Sequence, residues 1–369
     1  MLSNSQSNKL AFIDLKREWS YFEADFLKAF EKFGRAGIYV LGPDTEKFET
    51  NFATYHQYKY GISVATGLAA LEISLLAHGI KAGDEVITVP NSAVATSLAI
   101  SNTGAKPIFC DIKDNYLIDE EKISALITPK TKAIVPVHLF GLICNTTAIN
   151  EIAKKYKLTV IEDACQAHGA NFTGDALINT KAFSFYPTKN LGALGEGGLI
   201  LTNDKEIRDF AASYRDYGQM GRYHHVMRGN NNRMSALQCL LLDLKLKKLE
   251  NFIETRRLIA KKYITELAGL KDLKINEYDN NSSYHLFVIR VLNNKRDALK
   301  TYLAENNIDT LIHYPTTIPK QPCYLNDYPN LKLTNTDLLQ TEIISLPCYP
   351  FLETSEQDLI ISKIKAFFN

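Results

Sequence analysis

Two segments of the sequence are the most informative: FSFYPTKNLGALGEGG at residues 183–198 and VIEDACQAHG at residues 160–169. The first places Lys189 after an apolar strand and before a glycine-rich turn. The second ends another apolar strand in Asp163, and Gln166 follows three residues later. Each segment therefore puts a chemically versatile side chain at or just beyond the carboxyl end of a predicted strand.

Further apolar strands surround these segments and alternate with helices between about residues 61 and 205. The predicted strands lie in GISVATG, DEVITVP, AKPIFCDI, TKAIVPVHLFG, LTVIEDA, KAFSFYP and GGLILTN. Buried strands separated by helices are typical of a largely parallel sheet that is covered on both faces. In such folds ligands bind at the carboxyl ends of the strands. The sequence therefore predicts an α/β fold with a site where LTVIEDA and KAFSFYP end.

The length of 369 residues exceeds that of one ordinary core, so we expect two domains. We predict a large domain over residues 1–245, which includes a helical N-terminal segment, and a small α+β domain over residues 246–369. Residues 237–267 have the spacing of one long amphipathic helix that bridges into the second domain.

Charge and cysteine usage restrict the class of protein. A formal net charge of +1 argues against a protein that binds nucleic acids or membranes through its overall charge. The polar start MLSNSQSNKL lacks the apolar region of a signal peptide, and no apolar run approaches the roughly 20 residues of a membrane span. The six cysteines show no CxxC spacing, which favours reduced thiols over disulfides or a zinc site. We therefore expect a soluble cytoplasmic protein without a metal site.

A lysine and a carboxylate placed in this way suit the chemistry of pyridoxal phosphate. That cofactor binds amines as an imine and delocalises negative charge from the neighbouring carbon into its ring. Lys189 can hold the cofactor as an imine and then act as the base that moves the substrate proton. Asp163 can keep the ring nitrogen protonated, because a partly buried carboxylate raises the pKa of a cation beside it. Gln166 can donate a hydrogen bond to the ring hydroxyl oxygen.

Residues Thr66, Gly67 and Leu68 form a predicted strand-to-helix turn that can bind the phosphate of this cofactor. The helix N-terminus offers backbone N–H groups, and Ser184 adds a hydroxyl on the strand before Lys189. Taken alone, an acid at a strand end is more often a helix cap, and a lysine before Asn-Leu-Gly is more often a solvated turn residue. The run GALGEGG also lacks the GK[ST] ending of a P-loop. The joint occurrence of these residues, in order, at strand ends favours a cofactor site.

Both segments resemble the signature sequences of the DegT/StrS-type sugar aminotransferases, which are fold type I pyridoxal phosphate enzymes acting on nucleotide-linked keto-sugars. The likeness covers almost the whole chain and includes ATGLAALEISLLAHGIKAGDEVI, AKPIFCDI, TPKTKAIVPVHLFG, GNNNRMSALQ, IHYP and SLPCYP. It implies a large domain with a mostly parallel seven-stranded sheet flanked by helices. By this resemblance Lys189 forms the imine, Asp163 faces the pyridine nitrogen, Gln166 contacts the ring hydroxyl and Ser184 binds the phosphate.

The resemblance also implies a homodimer with shared active sites. Asn231 in GNNNR matches an asparagine that reaches the phosphate from the neighbouring subunit. Arg222 and Arg228 lie in the preceding segment and are candidates for a cationic patch that binds a nucleotide diphosphate. The alternative for these arginines is a solvated, charged loop.

Three further residues are candidates for contact with the substrate. His313 and Tyr314 in IHYP match a family motif that lines the sugar-nucleotide site, whereas a His-Tyr pair taken alone is more often packing. Tyr186, three residues before the lysine, is the third candidate.

Departures from the family pattern occur at three positions. Leu68 stands where the family usually has serine or threonine, so one phosphate hydroxyl is missing, at a cost on the order of 1 kcal/mol. Ala93 stands where a flat side chain usually stacks on the cofactor ring, and is predicted to leave that face of the ring uncovered. Pro319 replaces a histidine that many relatives carry. The catalytic lysine and acid remain intact.

These features favour transamination of a nucleotide-linked keto-6-deoxyhexose, with dTDP as the expected nucleotide and glutamate as the expected amino donor. The product is expected to be an amino-deoxysugar for a surface polysaccharide or glycoconjugate. The runs PNSAVATSLAI and IHYP favour a 3-keto over a 4-keto substrate. A sugar dehydratase of the same fold would carry histidine in place of Lys189. A non-catalytic sugar-nucleotide-binding or regulatory protein is the remaining hypothesis, and only Leu68 and Ala93 support it.

Overall fold

The computed structural model describes residues 9–172 and 180–368. Most of the polar start on which the expected localisation rests, residues 1–8, therefore lies outside the described residues. Within the described ranges the strands are β1 (Tyr60–Val64), β2 (Glu85–Thr88), β3 (Lys106–Phe109), β4 (Thr131–Ile134), β5 (Thr159–Asp163), β6 (Thr180–Ser184), β7 (Gly198–Thr202), β8 (Leu273–Lys274), β9 (Phe287–Val291) and β10 (Ile343–Leu346).

The α-helices of the same ranges cover both ends of the chain and the connections between most strands. They are α1 (Leu15–Ala36), α2 (Pro43–Tyr55), α3 (Gly67–Ala77), α4 (Ala95–Asn102), α5 (Glu120–Ile123), α6 (Thr146–Tyr156), α7 (Lys205–Tyr214), α8 (Ala236–Leu246), α9 (Leu249–Glu266), α10 (Arg296–Glu305), α11 (Thr334–Glu342) and α12 (Thr354–Phe368). None of these helices is long and apolar enough to cross a lipid bilayer.

Strands β1 to β7 form one sheet in the order β1-β7-β6-β5-β4-β2-β3. The five strands from β6 to β3 in this order are parallel, whereas β7 is antiparallel to both of its neighbours, β1 and β6. The predicted α/β fold with a mostly parallel seven-stranded sheet is confirmed. The direction of β7 was not predicted, because an apolar run looks the same in a parallel and an antiparallel strand.

Helices pack on both faces of this sheet. Helix α3 packs over Ile161 and Ala182 on one face, and Phe52 of α2 packs with Phe183 on the other. Because successive side chains of a strand point to opposite faces, Asp163 lies on the α3 side of β5, whereas Glu162 lies on the α2 side. The sheet therefore places two neighbouring acids in two separate environments.

A second sheet, in the order β10-β9-β8, is antiparallel and packs with the C-terminal helices. Its core contains Tyr263 of α9, Phe287 of β9 and Ile361 of α12. The predicted domain boundary between residues 245 and 246 falls close to the turn that separates α8 from α9, and it stays a prediction.

The prediction of one long helix over residues 237–267 is wrong. Helix α8 ends at Leu246 and α9 begins at Leu249, with a turn at Lys247 and Lys248 between them. Helix α8 packs against α2, whereas α9 contributes side chains to the core of the second sheet. A straight helix cannot direct its apolar face to both partners, so the turn redirects the chain.

Candidate active site

The carboxyl ends of β5 and β6 meet the start of α3 at one cavity, as the strand order predicted. The residues that line it are Gly67, Leu68, Leu71, Ser92, Ala93, Ala95, Thr96, Val137, Asp163, Cys165, Gln166, Ser184 and Lys189. Seven of the nine residues predicted to bind the cofactor are among them; Thr66 caps the adjoining helix and Asn231 lies elsewhere.

Lys189 is partly exposed and lies in the turn after β6. Its amine forms no hydrogen bond or ion pair with residues 9–172 or 180–368. Desolvation lowers the pKa of this amine, and the negative charge of nearby Asp163 acts in the opposite direction. A lowered pKa increases the neutral, nucleophilic fraction of the amine near neutral pH.

Buried side chains fix the turn that carries Lys189. The Asn190 side chain donates to the carbonyl of Ser283 over 3.0 Å, and the Lys245 ammonium donates to the carbonyl of Gly192. These contacts join residues far apart in the sequence, so the local pattern gave no signal for them. They hold the backbone of the turn and do not involve the Lys189 side chain.

Asp163 is buried and receives two hydrogen bonds from neutral donors. The Thr96 hydroxyl donates to Oδ2 over 2.7 Å, and the backbone N–H of Cys165 donates to Oδ1 over 3.1 Å. The Ser92 hydroxyl in turn donates a hydrogen bond to Thr96 Oγ1 over 2.9 Å, so it forms a second layer of contacts behind the carboxylate. Thr96 therefore orients the carboxylate, a role that sequence reasoning missed.

Gln166 lines the cavity, and contacts at both its amide oxygen and its amide nitrogen hold the side chain. The backbone N–H of Phe140 donates to Gln166 Oε1 over 2.8 Å, so the amide oxygen is already engaged. Phe140 has a φ of 63°, an uncommon value for a side chain of this size, and this conformation aims its N–H at Gln166. The Gln166 Nε2 donates to Tyr314 Oη over 3.2 Å, which brings the predicted substrate residue Tyr314 to the cofactor residues.

The start of α3 has the features of an anion site. Thr66 caps this helix by accepting from the N–H of Ala69 over 3.0 Å, while the N–H groups of Gly67 and Leu68 have no hydrogen-bond partner in the described ranges. A Cβ atom at Gly67 would lie 2.5 Å from Ser184 Cβ, so only glycine allows the helix to approach Ser184 this closely. The predicted phosphate turn is thus a helix N-terminus beside a hydroxyl.

The departures from the family pattern lie in and beside this cavity. Leu68 and Ala93 both line it, together with the apolar side chains Leu71 and Val137. Ser92 and Ala93 lie in the loop before α4, and the Ser92 side chain folds back toward Thr96. Pro319 is buried in a short 3₁₀ turn away from the cavity.

Four other predicted residues lie outside this cavity in the single chain. Asn231, Arg222 and Arg228 are exposed on the segment between α7 and α8, where residues 216 and 231 pair as an antiparallel bridge. Asn231 Oδ1 accepts a hydrogen bond from Arg233 over 2.8 Å. Tyr186 is also exposed, with 49% of its surface accessible.

His313 lines a neighbouring cavity that reaches Thr188, the residue before the lysine. Its Nδ1 lies 2.8 Å from Ser345 Oγ, and its ring contacts Phe12. Desolvation, assisted by the positive charge of Lys189, lowers the pKa of His313 to about 4. The imidazole is therefore neutral at physiological pH.

The opposite face of β5 carries a buried charged cluster that sequence reasoning also missed. Glu162 accepts from the Lys181 ammonium and lies 2.7 Å from His138 Nε2, and all three side chains are fully buried. Desolvation raises the pKa of Glu162, but the charge of Lys181 and the contact with His138 lower it to about 2. His138 Nδ1 accepts from the N–H of Cys144, so Nε2 carries the proton donated to Glu162.

Comparison with known proteins agrees with this geometry. The model of the family described as the DegT/DnrJ/EryC1/StrS aminotransferase family matches residues 21–365. A dTDP-3-amino-3,6-dideoxy-alpha-D-galactopyranose transaminase from Aneurinibacillus thermoaerophilus is 39% identical over 363 residues, which cover 97% of this chain and 99% of the relative.

Two further similarities extend over nearly the whole chain. A dTDP-3-amino-3,4,6-trideoxy-alpha-D-glucose transaminase from Streptomyces venezuelae is 34% identical over 372 residues, which cover 99% of this chain and 98% of the relative. The crystal structure of NtdA from Bacillus subtilis, with its cofactor PMP bound, has a TM-score of 0.94 and 32% identity and covers 99% of this chain and 86% of that chain. The similarities in sequence and in fold thus both agree with the family match.

Proposed function

Because the chain belongs to the DegT/DnrJ/EryC1/StrS aminotransferase family, whose members are pyridoxal phosphate enzymes of fold type I, we propose that it transfers an amino group from glutamate to the 3-keto carbon of a dTDP-linked 6-deoxyhexose. The observation that carries the proposal is the convergence of Lys189 and Asp163 in one cavity. The choice of nucleotide and carbon follows the two relatives, whose names describe dTDP-linked 3-amino sugars. An amino-deoxysugar of this kind suits a surface polysaccharide or glycoconjugate.

The residues of the cavity fit pyridoxal phosphate. The Lys189 amine has no partner in the described ranges, and the free N–H groups at the start of α3 lie beside the Ser184 hydroxyl. Asp163 supplies a carboxylate that faces no cation within 4 Å in those ranges, which suits a protonated ring nitrogen. When bound, the cofactor supplies an electrophilic carbon for amines and a ring that delocalises negative charge from the neighbouring carbon.

Each residue then has a distinct part in the reaction. Lys189, with its lowered pKa, would accept the proton from the amine-bearing carbon of the donor and would return a proton to the sugar carbon that receives the amine. Asp163 stabilises positive charge on the ring nitrogen, and its orientation is fixed by Thr96. Gln166 acts through its amide nitrogen, because its oxygen is held by the N–H of Phe140; this nitrogen donates to Tyr314 Oη and would also reach the ring hydroxyl.

The exposed residues Asn231, Arg222 and Arg228 belong to the substrate and phosphate sites of a homodimer in this proposal. In one chain they lie outside the cavity, as Tyr186 does, and large apolar side chains are exposed near them in sequence. Tyr223, with 77% of its surface accessible, is one of these. A partner subunit that covers this surface would place its own arginines near the substrate diphosphate.

The proposal is tested with purified protein loaded with pyridoxal phosphate. We expect visible absorbance from the bound cofactor, borohydride trapping of the cofactor on Lys189 by mass spectrometry, and glutamate-dependent conversion of a dTDP-3-keto-6-deoxyhexose to its 3-amino product. Lys189→Ala should abolish the trapping and reduce the transfer at least 10²-fold, since it removes both the amine and the base.

The position of the new amino group is read from the NMR spectrum of the product. Amination of a 4-keto substrate in preference to the 3-keto substrate would contradict the proposed carbon. A protein that takes up no cofactor, and whose ligand binding is unchanged by Lys189→Ala, would contradict transamination itself. Sedimentation or light scattering of the same preparation tests the homodimer.

A further inference from the structure

A second cavity of about 110 Å³ adjoins the turn that carries Lys189 and has an unusual polar lining. Its lining includes Thr188, Arg256, His285 and His313 among mostly apolar side chains. This set contains one guanidinium, two imidazoles and a hydroxyl, and it includes no carboxylate from the described part of the chain. The apolar remainder lowers the local dielectric and strengthens any charge interaction inside.

Arg256 gives this cavity a positive charge. The guanidinium is buried, and its NH1 donates to the backbone carbonyls of Tyr284, His285 and Cys348. No carboxylate of residues 9–172 or 180–368 lies within 4 Å of it, and its Nε has no hydrogen-bond partner there. The charge of Glu18 also acts on Arg256, but from beyond 4 Å, and Glu18 forms an ion pair with Lys245. A buried cation without a direct ion pair favours an anion nearby.

His285 presents a free imidazole in the same lining. The side chain is 7% exposed, and neither ring nitrogen has a hydrogen-bond partner in the described ranges. Desolvation lowers the pKa of His285 well below its usual value, and the charges of Lys189 and Arg256 lower it further. A neutral imidazole retains one N–H donor, and a buried donor without a partner is costly unless a ligand accepts from it.

We propose that this cavity binds a carboxylate group of the amino donor while the donor amine lies at Lys189. The proposal rests on the proposed function, because it assigns a subsite for the glutamate of that reaction. The volume has room for several water molecules, hence for a carboxylate on a short chain, but not for a nucleoside. A carboxylate would pair with the Arg256 charge and accept from His285 and Thr188, which are strong, charge-assisted interactions.

The test compares His285→Leu and Thr188→Val with His56→Leu in the holoenzyme. His56 is a matched control, because it is 5% exposed, its Nε2 lacks a partner among the described residues and it does not line this cavity. Two quantities are measured: the glutamate concentration that gives the half-maximal rate of the first half-reaction, and the affinity for glutarate, a dicarboxylate without an amine. Circular dichroism and thermal unfolding verify that each variant is folded.

The proposal requires that the half-maximal glutamate concentration rises, and the glutarate affinity falls, about tenfold or more in His285→Leu. Both should change by a smaller factor in Thr188→Val, since each variant loses a hydrogen bond to a charged group. The Michaelis constant of the keto-sugar should change less than twofold, and His56→Leu should leave both donor quantities unchanged. If His285→Leu does not fold, Thr188→Val and its conservative partner Thr188→Ser decide alone.

Unchanged glutamate and glutarate affinities in folded variants would overturn the proposal, as would a change confined to the keto-sugar. Failure of the proposed function looks different: the wild-type enzyme would not react with glutamate at all. In that case glutarate still tests the subsite, because its binding must be detectable in the wild type and weakened by His285→Leu.

Discussion

Glu162 and Asp163 are neighbours on β5, yet they point to opposite faces of the sheet and meet different partners. On the α2 side, Glu162 contacts a lysine and a histidine that are as deeply buried as it is. The Lys181 ammonium also lies 4.6 Å from the centre of the Phe172 ring. On the α3 side, the described part of the chain gives Asp163 only the neutral donors of Thr96 and Cys165.

The difference separates an acid whose charge is compensated within the protein from one whose charge has no such partner in the described ranges. The charge of Glu162 is compensated within the protein, so its removal should affect folding. The charge of Asp163 is oriented but faces no cation within 4 Å in the described ranges, so it remains available to a ligand. The partners of two adjacent acids on one strand can therefore indicate different roles for them, although both acids are buried.

The largest expected effect is on folding, at Glu162. Glu162→Gln removes the partner of Lys181 and leaves a buried ammonium uncompensated, which costs about 3–5 kcal/mol in the free energy of unfolding. Urea unfolding of the loaded enzyme measures this value. The double variant Glu162→Gln/Lys181→Met should recover part of the loss, because it no longer buries an unpaired charge. A Glu162→Gln protein as stable as the wild type would break the comparison.

Asp163→Asn should show the opposite behaviour. The amide keeps the size of the side chain but loses the charge that stabilises a protonated ring nitrogen, so the rate of transfer should fall roughly 10²- to 10³-fold. Unfolding by urea should change by less than about 1 kcal/mol, since only neutral donors contact the group. Steady-state kinetics and unfolding of the same preparation give both values. Equal rates for the variant and the wild type would remove Asp163 from the mechanism.

Thr96 offers a smaller and more selective change on the α3 side. Thr96→Val keeps the shape but removes the hydroxyl that donates to Asp163 Oδ2, so cofactor affinity should fall about tenfold, the loss of one hydrogen bond to a charged group. Reconstitution of the apoprotein, followed by absorbance, measures the affinity directly. Thr96→Ser retains the hydroxyl and should bind the cofactor within about twofold of the wild type. Similar losses in both variants would indicate that packing, and not the hydrogen bond, matters at this position.

Sequence reasoning succeeded where chemistry follows from local pattern and strand order. Lys189, Asp163 and Ser184 were predicted because they lie at or after strand ends, and parallel strands bring their carboxyl ends to one edge. The family resemblance and the fold class are confirmed by the family match and by the sheet. The assignments of individual residues to the cofactor or the substrate stay predictions.

The missed features all depend on contacts between distant parts of the chain. Thr96 lies 67 positions before Asp163, and nothing in PNSAVAT indicates that its hydroxyl meets that carboxylate. The Phe140 N–H that orients Gln166 depends on a left-handed backbone that the local sequence does not demand. The pairing of Glu162 with Lys181 required the register of β5 and β6, which sequence alone does not supply. Such contacts are set by tertiary packing.

The smallest expected effect concerns acid pH and again distinguishes the two faces. The folded pKa of Glu162 is about 2, against an ordinary value of 4.5, so its stabilising effect is complete above pH 4.5 and is lost as the pH falls toward 2. Between pH 7 and pH 4 the wild type should therefore lose about 1 kcal/mol more of its unfolding free energy than Glu162→Gln. Urea unfolding of both proteins at the two pH values measures this difference, in which contributions of the other acids cancel. Asp163→Asn serves as the control. It should show the same Glu162-dependent loss of unfolding free energy between pH 7 and pH 4 as the wild type. Identical pH dependence in the wild type and Glu162→Gln would mean that the buried cluster does not hold Glu162 ionised, and the distinction between the two acids would then rest on Asp163 alone.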